Sequence, residues 1–315
     1  MADRGLPTKT LGRTGLEVTT LGYGAMSLDT RFGRTVSERE AKSVLDAVLD
    51  AGINFIDTSP DYGPSEELIG ASIAGRRSEY VLASKCGCPV SVTFAEGERP
   101  QHVYTPENIV AGVEQSLRRM KTDYLDIVQF HGSPSREVLE ANGALDALRG
   151  LQQAGKVRHL GMSGTIPNLA HHIDMGAFDE FQIPYSALQR EHEALISRAA
   201  EAGAGTVIRG GVARGAPSVD KDWAVRRLPE VPEERPREIW EEAELDELLD
   251  GMSRMEFMLR FTLSHPDLHT TIVGTADLRH LHENVEAARR GALPDDVYEE
   301  AKRRLDEAVL DVEED

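Results

Sequence analysis

A (β/α)8, or TIM, barrel is the fold class this chain predicts, on three observations. Apolar runs bounded by turn residues recur eight times, and each is followed by a stretch of helical periodicity. Five of the runs carry one polar residue at their exit: Asp57, Lys85, His131, Ser163 and Gln182. The length, 315 residues, suits one large barrel, and the whole chain (1–315) is expected to form a single domain.

Taken in order, KTLGRTGLEV within 8–20 predicts a β-hairpin, and TLGYGAMSL (20–28) a first buried strand ending near Gly24. Ser37, with Glu40 three residues on, predicts a capping box for a helix running to Asp50, and Gly52 closes it. The second strand is 53–57, with a helix from about Ser65 to Ala74. YVLASK (80–85) is the third, and 87–104 a loop. Thr105 and Pro106 open a helix with Ile109, Val113, Leu117 and Met120 on one face. TDYLDIVQFH is the fourth strand, followed by a helix from about Val138 to Gln153. HLGMS, EFQIPYS, GTVIRG (205–210) and TTIVGT (270–275) are strands five to eight. Their helices begin after Pro167, near His192, near Met255 and at Asp277. Residues 213–252 form a long insertion after strand seven, at the end of the barrel where active sites lie, and a last helix runs from Asp295 to about Val309.

The net charge of −19 argues against nucleic-acid and anionic-membrane partners. No apolar run is long enough to span a membrane, and the N-terminus lacks a signal-peptide pattern, so a cytoplasmic protein is expected. Cys86 and Cys88 read as reduced thiols. No metal site is assigned: the cysteines lack partners, and His171, His172, His265 and His269 are isolated.

The chemistry lies at the strand exits. Asp57 ends INFID and Tyr62 follows on the DTSPDYG loop. A phenol is a poor acid at neutral pH, with a pKa of about 10. An adjacent ammonium, Lys85, would stabilise the phenolate and lower that value. Asp57 would hold Lys85 charged, and His131 would act as donor beside a carbonyl. Taken singly, Asp57 reads as a helix cap or His131 as a core histidine. Four such residues at successive exits of one barrel face read as a site.

Asp57 and Tyr62 in DTSPDYG, Lys85 in ASKCG and His131 in QFHG resemble the catalytic tetrad of the aldo-keto reductase family. LRRMKTDYLDIVQFH and LQQAGKVRHLGMSG are similar to the family's approaches to strands four and five, and the likeness covers about 8–292. The resemblance implies NAD(P)H-dependent reduction of an aldehyde or ketone, with no metal and Tyr62 as general acid. NADPH is the expected cofactor and NADH the alternative. It implies nicotinamide contacts from Ser163, Gly164 and Gln182, and a first cofactor loop at Gly24, Ala25 and Met26. A pyrophosphate loop falls on 210–215, with Gly210, Gly211, Val212, Arg214 and Gly215, and Arg209 before it falls beside the nicotinamide. Adenosine contacts fall on Gly274, Thr275, His280, Glu283 and Asn284. Several positions depart from the commonest pattern. Gly164 stands for Asn, Arg209 for an aromatic that stacks on nicotinamide, and Gly274 and His280 for the Lys and Arg that clamp a 2′-phosphate.

A Schiff-base aldolase, using Lys85, leaves Tyr62 and Asp57 without a role. A cofactor-binding regulatory subunit with little turnover is the other alternative. The substrate expected is a small-molecule carbonyl compound. The loops near 27–36, 87–104 and 213–252, with Asp29, Arg31, Phe32, His102 and Trp223, would select it. Trp223 and Trp240 would either pack the insertion or touch substrate. Neither the substrate's identity nor the oligomeric state is written in the sequence.

Overall fold

Thr8–Thr10 (β1) and Glu17–Thr19 (β2) pair antiparallel, Thr8 opposite Thr19, as the expected hairpin. Leu11 in its turn is fully buried and fills the space beside Gly205, where a Cβ would stand 2.5 Å from Leu11 Cγ. Gly12, at φ 50°, approaches the Gly205 nitrogen so closely that a Cβ on Gly12 would lie 2.3 Å from it. Leu11 and Val18 join Phe55, Val81, Ala83, Ile127 and Val207 in an apolar cluster separate from the main core. These strand residues alternate with Ile56, Leu82, Val128 and Ile208, which belong to the main core. By the two-residue period of a strand, the first set faces the barrel's inside and the hairpin plugs its floor. The computed structural model describes residues 5–29, 35–90, 101–141, 143–215 and 235–314. Arg31, Phe32, Trp223 and the Arg214 side chain lie outside the described residues.

The barrel is closed and parallel, its strands in sequence order: Leu21–Gly24 (β3), Phe55–Asp57 (β4), Val81–Cys86 (β5), Leu125–Phe130 (β6), Val157–Ser163 (β7), Glu180–Pro184 (β8), Gly205–Arg209 (β9) and Thr270–Val273 (β10). β10 returns to β3 through Thr271 opposite Leu21 and Val273 opposite Tyr23. This is the (β/α)8 architecture that the repeat predicts.

Around it lie Glu38–Asp50 (α1), Ser65–Ser72 (α2), Pro106–Met120 (α3), Arg136–Ala141 (α4), Ala144–Gln153 (α5), Leu169–Asp174 (α6), Glu193–Glu201 (α7), Arg235–Glu242 (α8), Arg254–Leu263 (α9), Leu278–Arg290 (α10) and Asp295–Glu314 (α11). The capping box on α1 is present: Ser37 Oγ accepts from the Glu40 nitrogen, and the Glu40 carboxylate accepts from the Ser37 nitrogen. Thr105 caps α3, and Ile109, Val113, Leu117 and Met120 are its buried stripe. The expected helix from Val138 to Gln153 is instead two helices. Gly143, at φ 69°, breaks it between α4 and α5. The last helix is longer than expected and reaches Glu314.

The described end of the insertion is not bare loop. α8 lays Trp240, 1% exposed, edge-on against Phe257 of α9 at 5.8 Å, and the Trp240 indole donates to Asp246 at 3.0 Å. Trp240 therefore packs the insertion down. No helix among the described residues is long and apolar enough to cross a membrane.

α2 crosses α3 at Gly70, where a Cβ would lie 2.1 Å from the Arg119 carbonyl oxygen and 2.8 Å from Met120 Cα. Backbone cannot yield as a side chain does. Gly70→Ala should cost about 2–3 kcal/mol, read as a lower urea midpoint at unchanged m-value. Gly75→Ala, with no atom within 4 Å of the new Cβ, should shift stability by less than about 0.5 kcal/mol.

Candidate active site

The C-terminal ends of β4 to β9 bring the polar exit residues onto one face. Asp57 closes β4, Lys85 lies near the end of β5, and His131 follows β6. Ser163 ends β7, Gln182 lies on β8 opposite it, and Arg209 ends β9. The four residues of the expected tetrad therefore meet.

Their centre is an ion pair. Lys85 Nζ donates to both Asp57 oxygens, at 2.9 and 2.8 Å, and to the Thr58 carbonyl at 2.8 Å. Both side chains are essentially inaccessible. Asp57 Oδ1 also accepts from Gln182 Nε2 at 2.8 Å, and Ser163 Oγ donates to Gln182 Oε1 at 3.2 Å. The result is one buried chain, Ser163 to Gln182 to Asp57 to Lys85. Burial alone would lower the Lys85 pKa, but the Asp57 carboxylate outweighs it and the ammonium is held above its ordinary value.

Tyr62 is placed by a tight turn, its nitrogen donating to Ser59 O at 3.1 Å and its carbonyl accepting from the Ser65 nitrogen. Lys85 Nζ lies 5.1 Å from the centre of the Tyr62 ring. The three Lys85 protons already have acceptors, so the ammonium acts on the phenol through space. Sequence reasoning expected Lys85 to lower the Tyr62 pKa below its ordinary value. Lys85 does act in that direction, but enclosure at the barrel mouth wins and pushes the phenol up to about 12.

The His131 ring meets the Tyr62 ring edge-on at 6.2 Å. Burial lowers its pKa to about 3, against the opposing pull of Asp61, so the imidazole is neutral. Its Nδ1 lies 3.4 Å from Cys88 Sγ and 3.5 Å from Asp61 Oδ2. His102 packs against it, ring centres 4.7 Å apart, and the Tyr104 hydroxyl donates to the His131 carbonyl. Burial disfavours ionised Asp61, yet the Ser59 hydroxyl and Lys85 help hold its pKa below the usual range. Cys86 and Cys88 are buried free cysteines, and burial pushes both thiols up. Sequence reasoning did not connect Asp61, Cys88 and His102 with His131. Asp61 lies on the loop after β4 and Cys88 and His102 on the loop after β5, and only the fold joins them to His131 after β6.

The remaining expected residues form the other rim. After β3, Gly24 leads into a 3-10 turn holding Ala25 and Met26. After β10, Gly274 lies so close that a Cβ would stand 2.4 Å from the Gly24 carbonyl oxygen. Tyr23 ties the two exits by donating to the Thr275 carbonyl at 2.9 Å. The glycine at 274 thus has a packing reason. So has Gly164, where a Cβ would meet Leu169 Cδ1 at 2.8 Å.

The 210–215 segment is a tight turn, Ala213 N to Gly210 O at 2.7 Å and Gly215 N to Val212 O at 2.8 Å. The Gly211 carbonyl accepts from Thr262. Thr275 Oγ1 accepts from the Asp277 nitrogen, and Asp277 caps α10. Arg279 is 82% exposed and its guanidinium donates back to Asp277 at 2.8 Å. His280 and Glu283 are exposed on α10, with Asn284 beside them half-buried. Arg209 is half-buried, near enough for its charge to act on Tyr62 and His131.

Comparison with known proteins agrees with this geometry. The sequence profile of the Aldo/keto reductase family matches residues 20–306. The chain is 27% identical over 309 residues to the uncharacterized oxidoreductase YqkF of Bacillus subtilis, covering 91% of this chain and 92% of that protein. It is 36% identical over 165 residues to L-galactose dehydrogenase of Arabidopsis thaliana, an alignment covering 50% of this chain and 48% of that protein. Among solved structures, the holo form of aldo-keto reductase AKR11C1 from Bacillus halodurans superposes with a TM-score of 0.79 at 28% identity, covering 95% of this chain and 96% of that one. The chain belongs to the aldo/keto reductase family, and it is an oxidoreductase of that family.

Proposed function

We propose that the protein reduces an aldehyde or ketone of small size to the alcohol, reversibly, with a nicotinamide dinucleotide and with Tyr62 as general acid. One observation carries this reading. A buried Lys85–Asp57 pair lies under the Tyr62 ring, with the neutral His131 ring at its edge. Because its pKa is pushed up to about 12, the phenol keeps its proton at neutral pH and arrives ready to donate. As the proton leaves, negative charge grows on the phenolate oxygen, and the fixed Lys85 ammonium stabilises it. Asp57 keeps that ammonium in place. His131 turns Nδ1 toward Cys88 and Asp61, which leaves Nε2 as the ring nitrogen that would face the carbonyl oxygen. In the reverse direction the same groups take the proton from an alcohol.

Among the described residues no atom lies within 4 Å of where a Cβ would stand on Gly210, in the 210–215 turn. This turn adjoins the 274–277 exit and the start of α10. Ser163 and Gln182 would hold the nicotinamide amide, Gly24, Ala25 and Met26 would border it, and Thr275, His280, Glu283 and Asn284 would take the adenosine end. Bound there, the dinucleotide supplies the hydride for the carbonyl carbon. NADPH is the preferred form, on the strength of the family resemblance.

Loss of reduced-nicotinamide absorbance with a panel of aldehydes and dicarbonyls tests this. Tyr62→Phe should lower turnover by about 10²–10⁴-fold while cofactor binding, followed by fluorescence, is retained. Equal turnover in the variant and the parent would sink the assignment of Tyr62.

Stability should report His131 as well. The unfolded histidine titrates near 6.5 and the folded one near about 3, so in that window only the unfolded chain takes the proton. Stability from this group is full above about pH 6.5 and is lost as the pH falls toward 3. His131→Asn should therefore recover about 2 kcal/mol relative to the parent between pH 7 and pH 4.5, measured by urea unfolding at both values.

A further inference from the structure

Asp61, Cys88, His102 and His131 each turn one donor atom to a common point beside Tyr62, and these atoms all lie within 4.8 Å of one another. Two readings without a ligand fail on geometry. A cysteine–histidine–aspartate relay needs the thiol and the carboxylate on opposite imidazole nitrogens, but here both face the same one, Nδ1. Nor does hydrogen bonding account for the convergence. One Nδ1 holds a single proton or a single lone pair, so it serves Cys88 at 3.4 Å or Asp61 at 3.5 Å but not both. The same distances match the edges of a coordination tetrahedron. Zinc-type bonds of about 2.0–2.3 Å give donor–donor separations of roughly 3.3–3.6 Å. In addition, the buried Nε2 of His102 has no hydrogen-bond partner among the described residues.

We propose that these four residues bind a divalent d-block cation of the zinc type, on the rim of the proposed reductase site and sharing His131 with it. The donor set is two imidazoles, one thiolate and one carboxylate, a borderline-soft combination that suits Zn2+ and excludes Mg2+ and Ca2+. On binding, the Cys88 proton leaves, and the two anionic ligands balance the dication. The nearby Lys85 charge is already neutralised by Asp57. Ser59 Oγ donates to Asp61 Oδ1 at 2.5 Å and so fixes the carboxylate's orientation. The longest donor–donor separation must contract by about 1 Å, which side-chain rotation supplies. With Nδ1 on the cation, the His131 proton is confined to Nε2 and the ring is immobilised.

Cobalt is the probe, because its spectrum reads ligand type without any turnover. Chelator-treated protein titrated with Co2+ should develop, at one equivalent, a thiolate-to-cobalt charge-transfer band together with the intense visible bands of a four-coordinate ion, and Zn2+ should erase both. Cys88→Ser should remove the charge-transfer band. Cys86→Ala should keep it, since Cys86 packs in the outer core. His102→Ala should weaken cobalt binding at least tenfold, and thermal melts should show each variant folded. Absence of the band in the parent, or its survival in folded Cys88→Ser, overturns the site. If Cys88→Ser does not fold, unchanged affinity in His102→Ala overturns it instead. The site and the reductase reading fail separately. A cobalt spectrum without carbonyl turnover supports the site and removes the reaction, and turnover without the spectrum does the reverse.

Discussion

The buried Lys85–Asp57 pair is the constraint on which the rest of this site depends. Each charge loses its water, at a cost of several kcal/mol, and each is compensated in full. Lys85 spends three protons on two Asp57 oxygens and the Thr58 carbonyl, while Asp57 accepts a further bond from Gln182. The pair also locks register. Asp57 stands opposite Ala83, two residues before Lys85, so both charges point into the barrel. A slip of one residue would turn Lys85 outward and leave Asp57 charged and alone. Folding the barrel in register and seating this ion pair beneath Tyr62 are thus the same event.

Below the pair the barrel interior stays polar. Gln129 Nε2 faces the Glu180 carboxyl, and burial, with Asp57 adding to it, raises the Glu180 pKa well above its ordinary value. Gly161 makes room for that carboxyl, since a Cβ there would lie 2.3 Å from Glu180 Oε2. From the floor upward the interior runs from the apolar plug at Leu11, through Gln129 and Glu180, to the ion pair and then to Tyr62 and His131. A deep carboxyl biased toward its protonated form competes less with Asp57 for Lys85. Among the described residues, Asp57 is the carboxylate that the ammonium hydrogen-bonds.

Most of the barrel was legible because a parallel strand buried on both faces writes itself as an apolar run, and its exit as the first polar residue after it. Asp57, His131 and Ser163 are such exits, and the capping residues Ser37, Thr105 and Asp277 marked the helix starts by their side-chain chemistry. The break between α4 and α5 was harder to see. Leu139, Leu145 and Leu148 keep one apolar face, and periodicity does not register the left-handed backbone at Gly143. The packing reasons for Gly164 and Gly274 were invisible too, since the atoms that crowd them come from Leu169 and Gly24. Balance was the other blind spot. Sequence gives the sign of the Lys85 effect on Tyr62, but the larger effect of enclosure depends on everything packed around the ring.

The convergence on His131 was the least legible feature, because it is a property of three loops that no local pattern ties together. It also carries the most consequence for the chemistry. A neutral imidazole can hold its proton on either nitrogen, and only the form protonated at Nε2 donates to a carbonyl on the far side of the ring. Asp61 alone would favour the other form, drawing the proton to Nδ1. A cation held by Asp61, Cys88 and His102 reverses that preference, because Nδ1 must then offer its lone pair. The same carboxylate that biases the free histidine away from donation would, as a metal ligand, help fix it in the donating form. Under the proposed cation site, occupancy of the loop cluster thus decides which nitrogen of His131 carries the proton.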